Sequence, residues 1–267
     1  MPAASDGSTA GRDPAMMVDV DLHTHSRFFH GFPGRPTPYD EVGFRLHVAV
    51  AQARGLDAMA VTNHDYCTEF DADTGDLTIV PGIEVSSTAG HLLVVGPDPP
   101  AQTKPNMMTP AEVIDLAHDR GCVVVLPHPF RNSRVRETDA AVDAVEINGK
   151  HPKPTSLVED LAAERDLPIV GGSDAHYPIE VGRAFTRMDV ESLTPAGVAD
   201  AIREGRTDYR IVRRFPDQYL TRLYGLVHRL KGHTKGVAEK VTPEDGAPVV
   251  GSRSGEPREE SDAPKGS

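Results

Sequence analysis

The sequence has few thiols, few lysines and no long apolar run, and each shortage excludes something. Its two cysteines, Cys67 and Cys122, cannot build a disulfide framework, so a reducing compartment is expected. No stretch of 18 apolar residues occurs, which excludes a membrane-spanning helix. The opening MPAASDGSTAGRDPAMM lacks a basic segment followed by an apolar one, so no secretory signal is read there and a cytoplasmic location is expected. Lysine and arginine together number 28 against 40 acids, a net charge of −12, and only 7 of the 28 are lysine. The mean field therefore repels DNA and anionic lipid, which argues against a membrane partner and disfavours nucleic acid.

What remains is a globular composition. Of 267 residues, 38% are hydrophobic and 25% charged, enough for a sizeable core. Residues 1–15 and 241–267 are rich in Gly, Ser, Pro and charge and are predicted to be disordered tails. Between them, short Val- and Ile-rich runs (Met17–Leu22, Ala58–Thr62, Thr78–Val85, His91–Gly96, Cys122–Leu126, Ala144–Ile147, Pro168–Gly171) read as strands buried on both faces. Helix starts alternate with them: Thr37-Pro38-Tyr39-Asp40 and Thr109-Pro110-Ala111-Glu112, Ser156-x-x-Glu159, and Thr194-Pro195 with Gly205 as its stop. This alternation predicts a parallel α/β sheet, open or closed into a barrel, over residues 16–212. A basic helical segment is predicted over 213–240, with a Leu-rich stripe and Arg213, Arg214, Arg222, Arg229 and Lys231. It reads as a solvated face packed on the barrel.

Each strand ends in unusual polar residues: His23-Thr24-His25 with His30 beyond, Thr62-Asn63-His64-Asp65, Glu84, His128-Pro129-Phe130-Arg131, Asn148, and Asp174-Ala175-His176. The C-terminal ends of parallel strands share one face, where α/β proteins build their sites. His23, His25, His30, His64, Glu84, His128, Asp174 and His176 are therefore predicted to converge. Residues i and i+2 of a strand share a face, so an H-x-H pair can hold one ion. Imidazole with carboxylate and no thiolate suits Zn²⁺, Mn²⁺ or Fe²⁺. Eight ligands exceed the roughly three a catalytic ion uses, so two or three ions are expected. Clustered divalent ions suit phosphate-ester hydrolysis.

The ordered motifs DLHTHS, VTNHD, PGIEVS, LPHPFR, VEING and GGSDAH, continued by Val181–Thr186, resemble the PHP (polymerase and histidinol phosphatase) family from about Val18 to Arg206. The resemblance implies a distorted seven-stranded β/α barrel with two or three metals at the C-terminal strand ends. It also implies metal-dependent phosphoesterase activity, on substrates that in the family include nucleotides, short oligonucleotides and histidinol phosphate. The matched positions are His23, His25, His64, Glu84, His128, Asp174 and His176. His91 matches a histidine that follows the Glu motif in small members. Two departures stand out: His30 where small members often carry Asp, and Asn63 where the second motif commonly has Asp.

Some residues keep two readings. His151 lies near the right face as a further ligand or a loop residue, and Glu146 is either a barrel-interior residue or a ligand. Arg131, Arg134 and Arg183 can clamp phosphate, Arg131 and Arg183 being preferred, or sit as ordinary surface residues. His47, His118, His228 and His233 fall in helices or the basic segment and read as structural. The predicted activity is hydrolysis of a small phosphate ester, a nucleotide or other phosphomonoester, by metal-activated water, with His25, Asp174 and His176 catalytic. Two other classes compete. A metal-dependent amidohydrolase would need a bridging lysine, and Lys150 falls in a loop beyond Asn148. A non-catalytic metal-binding module would partner a DNA polymerase or repair protein.

Overall fold

In a computed structural model, the described residues are 16–26, 39–131, 133–150, 155–212 and 249–251. They form, in chain order, β1 (Met16–Thr24), α1 (Glu41–Ala53), β2 (Ala58–Val61), β3 (Thr68–Phe70), β4 (Thr78–Ser87), β5 (Gly90–Val95), α2 (Pro110–Asp119), β6 (Val123–Leu126), β7 (Ala144–Asn148), α3 (Thr155–Arg165), β8 (Ile169–Gly172), β9 (Ala184–Val190), α4 (Pro195–Arg203), β10 (Thr207–Ile211) and β11 (Val249–Gly251). Each of the seven apolar runs forms a strand. Among the described residues, no helix is long and apolar enough to cross a membrane.

Nine strands make one sheet in the order β10-β9-β1-β2-β4-β5-β6-β7-β8. β1, β2 and β4 are parallel neighbours, as are β6, β7 and β8. The sheet is not wholly parallel, contrary to the expectation from alternation. β5 pairs antiparallel with β4 and β6, and β9 pairs antiparallel with β1 and β10. The physical reason for the first departure is connection length. Only Thr88 and Ala89 separate β4 from β5, enough for a hairpin and far too few for a crossover helix. Because β5 runs backwards, its first residues lie beside the last residues of β4, with Ser86 opposite His91.

The sheet curls until β8 meets β9, giving a nearly closed, distorted barrel. The join is made by side chains rather than a backbone ladder. The Thr186 hydroxyl accepts from Gly171 N at 2.9 Å and donates to Gly171 O at 3.0 Å, and the Thr207 hydroxyl donates to Ile169 O at 3.1 Å. The two backbones run so close that a methyl group on Gly171 would overlap the Phe185 carbonyl.

Alternate strand residues (Val18, Val20, Ala58, Ala60, Val80, Leu93, Val95, Val123, Val125, Ala144, Val170) share one buried cluster with Val198, Ala199, Ala201 and Ile202 of α4. The opposite faces bury against helices. Ile83, Val85, Val124 and Val145 pack with Val113, Ile114 and Ala117 of α2 and Val158 and Leu161 of α3. Met59 and Val61 pack with Phe44, Val48 and Ala51 of α1.

Two helix starts differ from expectation. The α1 N-cap is Asp40, whose Oδ1 accepts from Gly43 N at 2.8 Å. Asp is a stronger N-cap than Thr, and the expected cap Thr37 and its Pro38 lie outside the described residues. Helix α3 already includes Thr155, which places Ser156 inside the helix rather than at its cap. The Thr109 capping box and the Thr194 cap form as read. Residues 1–15, 213–248 and 252–267, and with them the basic segment and most of the two tails, lie outside the described residues. Within the stretch read from composition as a C-terminal tail, residues 249–251 form β11, parallel to β3.

The closure yields a stability prediction. Gly171→Ala forces the β8 and β9 backbones apart and should lower the unfolding free energy by about 1–3 kcal/mol, the usual scale of overpacking. Denaturant titration reads this directly. An unchanged midpoint would mean that the two strands are not held in such close contact.

Candidate metal centre

Six strands, β1, β2, β4, β6, β7 and β8, point their C-terminal ends the same way, and β5 begins there. The polar residues that follow these ends therefore meet. Glu84, at 1% exposure, is the hub. Its Oε2 lies 3.0 Å from His64 Nδ1, 3.3 Å from His25 Nε2 and 3.5 Å from His23 Nε2. Its Oε1 lies 2.8 Å from His91 Nδ1 and 3.1 Å from His128 Nε2. On the other side, Asp174 Oδ1 lies 3.2 Å from His176 Nδ1, 3.6 Å from His25 Nε2 and 3.9 Å from His23 Nε2. His23, His25, His64, Glu84, His91, His128, Asp174 and His176 thus share one cluster. His30 and His151 lie outside the described residues.

Local backbone chemistry aims these side chains. The β1–β2 register shifts between Asp21 and Thr24, an irregularity of the kind that re-aims side chains next to sites. It brings His23 and His25 to the side of the sheet that carries Glu84 and Glu146. Beyond β1, His25 N donates to Ala175 O at 2.8 Å and Ala175 N to His23 O at 3.3 Å, which lays the Asp174–His176 segment against the H-x-H pair. Buried Asp21 ties the same junction, its Oδ1 accepting from Ser173 N and its Oδ2 from Gly182 N. Burial outweighs those hydrogen bonds and raises its pKa to about 6. His128 and Asp174 adopt φ of +31° and +53°, conformations that cost about 1–3 kcal/mol each and persist where surrounding contacts enforce them.

A polar shell stands behind the cluster. Glu146 Oε1 accepts from His23 Nδ1 at 2.8 Å, while its Oε2 accepts from His128 N and Asn148 Nδ2, both at 3.0 Å. Asn63, in the position where the motif commonly has Asp, accepts from Ser26 N and donates to the Ser26 and Thr68 hydroxyls. Asp65 accepts from Ser86 N, the Ser86 hydroxyl and the Thr103 hydroxyl, bracing the loop that carries His64.

The electrostatics follow from crowding. Burial alone would raise the Glu84 pKa, but His64, His91, His23 and His128 hold it well below the carboxylate range. Asp174 is likewise held down against burial, by Lys150, His176 and His25. His25 is pushed well below the imidazole range by burial and by His176 and His64, and His176 is lowered by burial and by Lys150. His23 is raised despite burial by Glu146 and Glu84, and His91 is raised by Glu84.

Three buried atoms, His25 Nδ1, His128 Nδ1 and Glu84 Oε2, have no hydrogen-bond partner, although buried polar atoms are normally satisfied. The donor set has the chemistry of a divalent-cation site. Four overlapping groups have ligand atoms mutually within 4.8 Å: His23, His25 and Asp174; His23, Glu84 and His128; His64, Glu84 and His91; and His25, His64 and His176.

The arginines divide. Arg131 NH1 lies 3.3 Å from Asp174 Oδ2 with its side chain half exposed at the rim. Arg134 donates to Thr88 O at 3.5 Å. Arg183 is buried, with NH1 3.5 Å from Glu180 Oε1. Sequence reasoning left Glu146 undecided and set Lys150 aside, and the structure places both at the centre. Lys150 Nζ lies 2.7 Å from Asp174 O and 3.0 Å from His176 Nδ1. The available signal was the position of Asn148-Gly149-Lys150 at the end of β7, where every neighbouring strand delivers a ligand.

A family model described as PHP-associated matches residues 155–207. No curated protein matches the sequence. Among solved structures, PsfC from Pseudomonas syringae PB-5123 aligns with TM-score 0.62 at 20% identity, over 79% of this chain and 98% of that one. A two-domain protein containing a predicted PHP-like metal-dependent phosphoesterase, from Bacteroides vulgatus ATCC 8482, aligns with TM-score 0.54 at 20% identity, over 74% of this chain and 65% of that one. The chain shares the fold of these structures. The lesion-specific endonuclease Q from Pyrococcus furiosus also aligns, with TM-score 0.51 at 16% identity over 89% of this chain and 75% of the other.

The polar shell around the cluster generates the next prediction. Glu146→Gln must present an amide N–H₂ either to His23 Nδ1–H or to the two donors on Oε2, so His23 loses its anionic partner or a donor pair is opposed. Affinity for Mn²⁺, read by calorimetric titration, should fall about 10–100-fold, as for other residues that orient metal-binding histidines. Wild-type affinity in Glu146→Gln would show that His23 is positioned by something else.

Proposed function

We infer that the protein is a metal-dependent phosphoesterase that hydrolyses a small phosphate ester. The observation that carries this reading is the shared Glu84 carboxylate, which lies within 3.5 Å of five imidazole nitrogens in a pocket where the buried ring nitrogens His25 Nδ1 and His128 Nδ1 have no hydrogen-bond partner. Residues 16–212 are taken as the catalytic unit.

His23, His25 and Asp174 would hold one ion, and Glu84, His91 and His128 a second, with His64 and His176 beside them. Zn²⁺, Mn²⁺ or Fe²⁺ would suit these ligands. When bound, such ions supply Lewis acidity toward phosphoryl oxygen and lower the pKa of a coordinated water. The protein's own residues prepare the site. Glu84 and Asp174 remain anionic and offset cationic charge. Glu146 holds the His23 Nδ1 proton, so that Nε2 faces the cluster. His25 and His176 stay neutral at physiological pH, the form in which imidazole has a lone pair to offer. Arg131, at the open rim, has guanidinium N–H groups left to orient a phosphate oxygen.

Endonuclease Q, one of the structures similar in fold, makes an oligonucleotide a second reading. A net charge of −12 weighs against it, because unaided binding to polyphosphate is repelled. An assay with p-nitrophenyl phosphate, nucleotides, a short oligonucleotide and an amide substrate separates the readings. Turnover of the amide alone would overturn the phosphoesterase assignment.

Two outcomes follow. Asp174→Asn keeps the shape but removes the anionic ligand, and kcat should fall about 10²-fold or more. His118→Ala, which loses only a half-exposed contact to Asp143, should change kcat by less than about threefold, roughly 0.7 kcal/mol of barrier. Wild-type turnover in Asp174→Asn with metal content intact would remove that strand end from the chemistry.

The second outcome concerns protons. The neighbouring carboxylates raise the pKa values of His23 and His91, so these rings keep to higher pH than a free imidazole the protons that a metal must displace. Mn²⁺ binding at pH 7 should release about one to two protons per chain, and affinity should weaken as pH falls. The dependence of binding enthalpy on buffer ionisation measures this release, and a value of zero would contradict the assignment of these two histidines.

A further inference from the structure

Lys150 brings a fixed positive charge into a centre that otherwise reads as a cation trap. The loop that carries it is pinned: Gly149 N donates to Gly172 O at 2.8 Å, and Lys150 N donates to Asn148 Oδ1 at 2.9 Å. The ammonium then reaches Asp174 O at 2.7 Å and His176 Nδ1 at 3.0 Å, with Asp174 Oδ1 at 3.7 Å and Glu180 Oε2 at 3.6 Å. Its side chain is only 20% exposed. Glu180 is itself engaged, accepting from His176 N and Tyr177 N. Lys150 is therefore an internal element of the site rather than a surface residue waiting for ligand.

The groups of candidate ligands are not equivalent around this charge. Those containing Asp174 or Glu84 each include a carboxylate. His25, His64 and His176 form the one such group without any, three imidazole rings whose nitrogens lie within 4.8 Å of one another. Lys150 touches this group at His176 Nδ1 and the neighbouring group at Asp174. The carboxylates nearest these rings, Glu84 Oε2 at 3.0 Å from His64 Nδ1 and Asp174 Oδ1 at 3.2 Å from His176 Nδ1, already belong to the other groups, so a divalent ion there would bring no carboxylate of its own and would sit beside an ammonium. The donor arithmetic points the same way. A neutral imidazole has one lone pair on nitrogen. In the tautomer where Lys150 donates to His176 Nδ1, the ring proton sits on Nε2 and no lone pair is left for an ion; only the other tautomer, with Nδ1–H directed at Asp174 O at 3.1 Å, leaves Nε2 for one.

We propose that Lys150 takes the place of an ion at the His25–His64–His176 position, so that the centre operates with two divalent cations instead of three. The proposal rests on the metal-centre reading above and narrows it. Lys150 acts here as a positioning residue: it holds the Asp174–His176 segment and supplies one positive charge where a third ion would supply two.

The test is a count of ions in the full-length protein, saturated with Mn²⁺, desalted and assayed for metal per chain. Wild type should hold two. Lys150→Met, similar in shape but uncharged, should hold three, with the additional ion bound at least about tenfold more tightly than any third ion in wild type, as removal of a neighbouring like charge demands. Lys150→Arg keeps the charge and should remain at two. Three ions in wild type, or no gain in Lys150→Met, overturns the proposal and leaves the metal reading standing. No ions in wild type overturns that reading as well. The wild-type count decides the matter even if Lys150→Met does not fold.

Discussion

One buried carboxylate organises the rest of this molecule. Glu84 sits at the bottom of a cluster of imidazoles, and its charge is what allows so many basic rings to be packed together out of water. Removing a charge from water is costly unless it is paired and hydrogen-bonded, and here each side of the bargain supports the other. The imidazoles keep Glu84 ionised, and Glu84 with Glu146 raises the protonation of His23. Unpartnered atoms remain at His25, His128 and Glu84, so the pairing is incomplete within the protein. A cluster of this kind is a poor way to stabilise a fold and a good way to prepare a site for cations.

The barrel exists to hold those side chains at one end. Its interior below the cluster is plain aliphatic packing capped by α4, and three helices cover the outside. The upper end is different in kind: hydrogen bonds accepted by Asp21, Asn63, Asp65, Glu146 and Glu180 from backbone N–H groups fix the loops that carry the clustered residues. Left-handed backbone at His128 and Asp174 is concentrated in the same place. Gly172 belongs to this set as well, since a methyl group there would run into Glu146 and His23. The smallest residue is required where strand and site press together.

Exposure increases from floor to rim. His23, Glu84 and His25 are buried, whereas His64, His91, His176 and Arg131 are open to different degrees. Charge is thus fixed by protein groups at the bottom and accessible at the top, a geometry suited to a compact anionic ligand. Lys150 and Arg183 both lie beside Glu180, at 3.6 and 3.5 Å. Both are committed to internal carboxylates.

Much of this was legible before any coordinates. Short Val- and Ile-rich runs become strands because buried strands need continuous apolar faces, and residues directly after them fall at one end because parallel strands point one way. Hence His23, His25, His64, Glu84, His128, Asp174 and His176 could be grouped from order and position alone. The antiparallel turns of β5 and β9, the Asp40 cap and the side-chain join between β8 and β9 were not legible, since pairing partners are chosen by contacts far apart in sequence. The same holds for Glu146 and Lys150. Period-2 alternation says that a residue faces in or out, but whether an inward carboxylate meets a histidine, or a loop lysine folds back onto one, depends on distances that only the closed barrel sets. The sequence by itself determined which ligand types gather at which end; tertiary structure alone decided which charges touch, because electrostatic coupling depends on separation and burial, and neither is a property of the linear chain.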